Sequence, residues 1–217
     1  MKHLYRSSAI AALLLSHQAL ALDLEVGTGI NTYQQGHSGV WYQYNYPHKL
    51  QLRSTPFSLG VSWMAGETRL RAEYLYQGFA YSDAISPPDS QYLPGTAGNC
   101  VGGTPCTLYR FVGRGNVSGG IFSASRQNTV LGIPFYTEAG LYAYTARWQE
   151  DVISVDTGAV WYSCAHRAHA MIGPVLGVGV RYKSLDIGFR YLYSPASGDD
   201  VPAIYIGATT LMLKAIF

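Results

Sequence analysis

The chain has 217 residues, 48% of them apolar and only 13% charged, with 18 Tyr, 24 Gly and a formal net charge of +2. That length suits one or two ordinary domains, and scattered charges summing to so little give nucleic acid no electrostatic footing as a partner. An ordinary soluble domain carries about twice this share of charge, so the composition also speaks against that class.

The first residues, Met1-Lys2-His3-Leu4-Tyr5-Arg6, bear two positive charges and no acid, and an apolar run follows from Ala9 to Leu15. Ala19-Leu20-Ala21 then has the small-x-small pattern of a signal-peptide cleavage site. A cleavable signal peptide over 1–21 is the expectation, with one mature domain over 22–217. The run is too short to span a bilayer as a helix, which takes ~20 residues. Cleavage removes Lys2 and Arg6 and leaves 13 basic residues against 13 acidic ones, a formally neutral mature chain.

From Leu22 onward the chain alternates with period two, the mark of strands with two unlike faces. Leu22, Leu24, Val26, Thr28 and Ile30 share one face, opposite Asp23, Glu25, Gly27, Gly29 and Asn31. Phe57, Leu59, Val61 and Trp63 alternate with Ser58, Gly60 and Ser62, and Leu70, Ala72, Tyr74 and Tyr76 with Arg71, Glu73 and Gln77. A weaker fourth segment sets Val117, Gly119 and Ile121 against Ser118, Gly120 and Phe122. The fifth sets Phe135, Thr137, Ala139, Leu141 and Ala143 against Tyr136, Glu138, Gly140, Tyr142 and Tyr144. Leu176, Val178, Val180 and Tyr182 then oppose Gly177, Gly179 and Arg181, and Leu185, Ile187, Phe189, Tyr191 and Tyr193 oppose Asp186, Gly188, Arg190 and Leu192. The last face runs Tyr205, Gly207, Thr209, Leu211, Leu213, Ala215 and Phe217. About eight strands are expected.

Short links are expected near Ala65-Gly66-Glu67, Arg126-Gln127-Asn128-Thr129 and Lys183-Ser184. Between them lie long connections over 32–55, 79–112 and 148–172 and a medium one over 194–202. Short turns at one end and long loops at the other are the habit of bacterial outer-membrane barrels. A soluble barrel would keep its apolar residues inside. Here the polar member of each alternation holds Gly and complementary charges, and the apolar member carries Trp63, Tyr182, Phe189 and Tyr193, which suit aromatic girdles at the lipid interfaces. The fold class is therefore all-β: a transmembrane antiparallel up-and-down β-barrel.

The closing Leu211, Leu213, Ala215 and Phe217 face resembles the C-terminal signature of outer-membrane barrels. That resemblance implies that the barrel assembly machinery reads Phe217 as a signal. Ile133-Pro134-Phe135-Tyr136-Thr137-Glu138-Ala139-Gly140-Leu141 and Gly177-Val178-Gly179-Val180-Arg181-Tyr182 look like strands of the small OmpA-like and OmpX-like barrels. The chain ends on the last barrel residue, so the peptidoglycan-binding domain of full-length OmpA, and its anchoring role, are not expected here.

Five inward charges, Glu25, Arg71, Glu73, Glu138 and Arg190, fall at similar depth from the short-turn end. Buried charges survive when paired, so these are expected to form a lumenal ion-paired plug, with a narrow pore as the alternative. Cys100 and Cys106 flank a Gly-rich loop and are the leading disulfide candidate, with Cys164 as an alternative partner for either. Cys164, His166 and His169 have metal-ligand types, but their spacing matches no zinc pattern; no metal or cofactor is expected. The stretch from Arg190 to Pro195 resembles the catalytic strand end of barrel lipid A deacylases. Leu192 stands where their His precedes the nucleophile, which here would be Ser194. Trp41, Tyr42, Tyr44 and Tyr46 form an aromatic cluster in the first long loop, suited to a recognition surface or to packing on the barrel mouth.

The function expected is a non-enzymatic outer-membrane barrel whose long extracellular loops serve surface interaction or envelope integrity. Its partners would be outer-membrane lipid and lipopolysaccharide, the assembly machinery, and an extracellular protein or glycan, with no role for nucleic acid. A lipid A-modifying hydrolase and a small channel are the alternatives. Expressed in a Gram-negative host, the exported protein should have Leu22 as its N-terminus by intact-mass measurement; an uncleaved Met1 would refute the signal peptide.

Overall fold

The computed structural model describes residues 21–34, 48–86, 108–130, 133–167, 170–194 and 207–217. Among these residues every element is a strand: β1 (Asp23–Gln34), β2 (His48–Gln51), β3 (Arg53–Ser54), β4 (Phe57–Ala65), β5 (Thr68–Ser86), β6 (Tyr109–Val130), β7 (Ile133–Ser154), β8 (Val160–Arg167), β9 (Met171–Tyr182), β10 (Leu185–Tyr193) and β11 (Gly207–Ile216). Eight of them run in antiparallel order β1-β4-β5-β6-β7-β9-β10-β11, and β11 pairs back onto β1 from Glu25↔Ile216 to Gln34↔Gly207. The sheet thus closes on itself as an up-and-down barrel of eight strands, as the alternation anticipated. Phe217 extends the closing seam, its N–H donating to Leu24 O at 2.9 Å and its carbonyl accepting from Leu24 N at 3.1 Å.

Closure fixes which face is which. Glu25, Asn31, Arg71, Glu138, Asp186 and Arg190 are buried in the lumen, while Leu24, Phe57, Leu141, Leu176, Phe189 and Leu213 stand exposed outside. The hydrophobic pattern is inverted relative to a soluble barrel. The outward positions of β6 between Arg126 and Arg114 carry no charge, a stretch of roughly 40 Å along the strand at ~3.3 Å per residue. Tilted by ~40°, it covers a band about 30 Å high.

Four details differ from the sequence reading. Val117 and Ile121, both 2% exposed, point into the lumen and Phe122 points outward, so the fourth segment carries its apolar pair inside. The polar run Arg126–Thr129 is strand, pairing with Phe135, Tyr136 and Thr137, and the hairpin closes beyond Val130↔Ile133. Each of the three expected long connections contains strand among its described residues. β5 runs on to Ser86 and β6 starts at Tyr109, β7 continues to Ser154 and turns into β8, and β2 and β3 lie within the first connection. Phe189 is mid-strand on β10 rather than at its rim. Along β5 and β6 these extensions lack the usual contrast because their inward face is small, as in Ala80, Ser82, Ala84, Gly113 and Gly115, while the outer face mixes Tyr81, Asp83 and Ile85. Backbone pairing continues after the hydrophobic contrast that signals a strand has gone.

The tight turns depend on left-handed backbone, at Gly66 (φ +64) between β4 and β5, Lys183 (φ 52) between β9 and β10, and Gly158 (φ +69) between β7 and β8. On the lumenal wall, a Cβ at Gly29 would lie 1.9 Å from the Leu211 carbonyl oxygen across the closing seam. Gly29→Val should therefore open that seam, costing about 1–3 kcal/mol or more. The check is heat-modifiable mobility on gel electrophoresis, where the variant should lose the compact band; wild-type behaviour would contradict the close approach.

Candidate functional site

The lower lumen, near the short-turn end, is filled by charge. Arg71 lies at the centre: Nε sits 2.6 Å from Glu25 Oε2, Nη1 3.0 Å from Glu138 Oε1 and Nη2 3.0 Å from Asp186 Oδ2. Arg190 grips Glu138 with two parallel bonds of 2.8 Å and donates Nη1 to both oxygens of Glu73 at 3.0 Å. Lys214 donates to Glu73 and lies 3.8 Å from Glu25. Arg181 bridges Glu25 and Asp186, each at 3.0 Å. Four cations thus face four carboxylates, and the sum is neutral.

Neutral donors complete the set. Tyr136 donates its hydroxyl to Asp186 at 2.6 Å and Ser123 to Glu138 at 2.5 Å. Fork-shaped guanidinium groups suit this shared, bidentate geometry better than ammonium groups would. Strand alternation aims these side chains inward, and glycines on the same wall make room for them. A Cβ at Gly27 would meet Lys214 Cγ at 2.6 Å, one at Gly177 would meet Arg190 Cγ and Glu138 Oε2 at 3.1 Å, and one at Gly179 would meet the Tyr136 hydroxyl at 2.4 Å.

All five charges singled out from sequence, Glu25, Arg71, Glu73, Glu138 and Arg190, meet in this cluster. Sequence reasoning missed Asp186, Arg181 and Lys214. Asp186 and Arg181 occupy the polar phase of their alternations, so phase alone finds them. Lys214, flanked by Leu213 and Ala215, was hidden by an apolar neighbourhood.

Above the charges the lumen is apolar and aromatic. Leu75, Ile121, Val175, Leu192 and Met212 pack together, and Tyr142 and Tyr144 stack at 4.9 Å. Tyr33 donates to Gly78 O at 2.6 Å and accepts from Val117 N at 3.3 Å. Higher still, the Trp148 indole lies over Gly113 and Gly115, where a Cβ would come within 2.1 and 2.5 Å of the ring. Charge below and close-packed rings above fill the bore in two layers.

The remaining candidates fall elsewhere. Ser194 is 3% exposed, faces the lumen and accepts a hydrogen bond from the Tyr144 hydroxyl at 2.5 Å. Cys164 is half-buried on β8, opposite Glu150 in register. Trp41, Tyr42, Tyr44, Tyr46, Cys100, Cys106 and His169 lie outside the described residues. Among the described residues no group of His, Cys, Asp and Glu is placed to hold a metal ion.

No known family model matches the chain, and no curated protein does. Among solved structures, the crystal structure of Neisserial surface protein A (NspA) is similar at 13% identity. The match covers 90% of this chain and 95% of that one with a TM-score of 0.38.

Arg190→Met should destabilise the barrel by about 3–5 kcal/mol, because it strands Glu73 and Glu138 as buried charges. Lys214→Met should cost less, since Arg190 still holds Glu73. Urea unfolding in micelles followed by tryptophan fluorescence reads the order; equal or absent shifts would contradict a shared network.

Proposed function

We propose that this chain is a surface barrel of a Gram-negative outer membrane, kin in architecture to the small OmpA-like and OmpX-like barrels, and that it acts without catalytic turnover through the part standing outside the cell. The observation that carries this reading is the reversed polarity of the wall: an uncharged outward band about 30 Å high, matching the hydrocarbon core of a bilayer, around a lumen that holds the charges. In lipid every backbone polar group must be paired within the protein, and a closed ring achieves that with strands.

The long strands support a role outside the cell. Beyond the band, β5, β6 and β7 continue for roughly 20 Å at ~3.3 Å per residue, and β2 and β8 flank them to make a five-stranded sheet, β2-β5-β6-β7-β8. Exposed Val160, Trp161 and Tyr162 and the Tyr109–Trp161 ring contact at 5.1 Å lie at its tip. Such a surface suits an extracellular protein or glycan, with Trp41, Tyr42, Tyr44 and Tyr46 as candidate anchors in the first connection. Lipopolysaccharide would surround the wall, and the assembly machinery would read the strand ending in Phe217. The filled lumen favours a plug over a conducting channel. Ser194, hydrogen-bonded inside the bore rather than facing lipid, lends no support to a lipid A hydrolase.

Orientation gives a direct test. An epitope inserted at Gly158 should be labelled by antibody on intact cells, whereas one at Gly66 should need a permeabilised outer membrane. Both turns are exposed, with nothing within 4 Å of a Cβ at either glycine, so insertion should be tolerated. The opposite pattern, or a protein recovered in the soluble fraction, would refute the reading.

A further inference from the structure

We propose that Phe79 and three arginines around it, Arg53, Arg114 and Arg147, form a seat for a phosphorylated, acylated glycolipid of the outer leaflet. The inference rests on the membrane reading above and goes beyond it by locating one lipid site on the wall.

The first observation is the state of the arginines. Six of the nine whose side chains are described hold a carboxylate. Arg53, Arg114 and Arg147 pair with none among the described residues, and Arg114 donates only to the neutral Gln149 oxygen, at 3.1 Å. These three cations, without a counter-charge among the described residues, all lie on the outer wall around one aromatic ring.

The second observation is the shape of that wall. A depression of about 390 Å³ is lined by Phe79, Arg114, Asn116, Arg147 and Gln149. A second, of about 500 Å³, is lined by Ile30, Gln51, Arg53, Thr55, Tyr76 and Phe79. Phe79 is shared between the two, and among the described residues no carboxylate lines either. Guanidinium groups suit phosphate oxygens, and the amide and hydroxyl groups of Asn116, Gln149, Gln51 and Thr55 suit sugar hydroxyls. Ile30 and Tyr76 lead down into the apolar band, where acyl chains would lie.

The third observation is how Phe79 comes to point outward. The β5–β6 ladder slips between Tyr76 and Phe79, and Gly78 within the slip has φ +80. A Cβ there would also lie 2.7 Å from the Thr55 carbonyl oxygen. The bulge buries Gln77 and Gly78 in succession and re-aims the strand, leaving Phe79 59% exposed and edge-on to Tyr76 at 6.0 Å. Phe79, Asn116 and Arg147 are then in register across three strands, and Arg114 and Gln149 fill the next row up. This is the upper limit of the uncharged band, the level of the headgroups.

The test uses the folded mature protein in zwitterionic micelles, with bis-phosphorylated hexa-acylated lipid A as probe and native mass spectrometry as readout. Each Arg→Gln change should weaken binding about fivefold, and Arg53→Gln, Arg114→Gln and Arg147→Gln combined about a hundredfold. Dephosphorylated lipid A should lose a similar factor on the wild type. Arg126→Gln, at the opposite rim, should bind as wild type, and the triple Arg→Lys variant should keep most of the affinity. Folding is checked by heat-modifiable mobility; if the triple Gln variant misfolds, the single variants carry the test.

Unchanged binding by the Gln variants, or an equal loss in Arg126→Gln, would overturn the site. Inorganic phosphate at millimolar concentration displacing lipid A would overturn it too, since the seat would then serve a free anion. A barrel that requires detergent yet ignores lipid A refutes this site alone, whereas one that dissolves freely in buffer refutes the membrane reading.

Discussion

The seam between β1 and β11 is the constraint on which the rest of the structure depends. Once those two strands pair, each wall strand has a neighbour on both sides and the ring has a fixed, small circumference. An eight-stranded ring leaves an interior just wide enough for side chains, so what points inward must interlock with what comes from across the bore. Charges placed there have no bulk water to turn to, and their desolvation cost has to be met by one another. Four cations and four carboxylates spread over β1, β5, β7, β9, β10 and β11 do this, and in doing so they cross-brace strands that are not neighbours in the sheet.

Glycine makes the bracing feasible. Long side chains in a narrow bore need empty positions opposite them, and Gly27, Gly177 and Gly179 supply those positions where Lys214, Arg190 and Tyr136 cross. The high Gly content noted at the outset thus has a geometric cause, and so does the abundance of Tyr. Tyr33, Tyr136, Tyr142 and Tyr144 fill the lumen with rings whose hydroxyl groups bond to Gly78 O, Asp186, Gln77 and Ser194 respectively.

The wall is asymmetric along its axis. At one end the strands stop at tight turns; at the other, three of them continue well past the uncharged band and recruit β2 and β8 as flanking strands. In that extension the alternation of apolar and polar residues is lost, charge returns to the outer face, and Arg110 pairs with Asp83. The three outward arginines near Phe79 mark the boundary between these regimes, where a bulge redirects β5.

Local sequence determined the class of element, the phase of nearly every strand and hence which residues face the bore. A period of two is a property of the extended backbone and survives any tertiary arrangement. It is enough to bring Glu25, Arg71, Glu73, Glu138 and Arg190 to one layer. It failed where contrast between faces failed: at Val117 and Ile121, which are apolar yet inward, and along the polar extensions of β5, β6 and β7. Which cation holds which carboxylate, that Lys214 and Arg181 join them, and that Arg53, Arg114 and Arg147 gather beside one ring were decided only by closure. Those relations join residues distant along the chain through strand register and bore diameter, and neither quantity is written in the neighbourhood of any one residue.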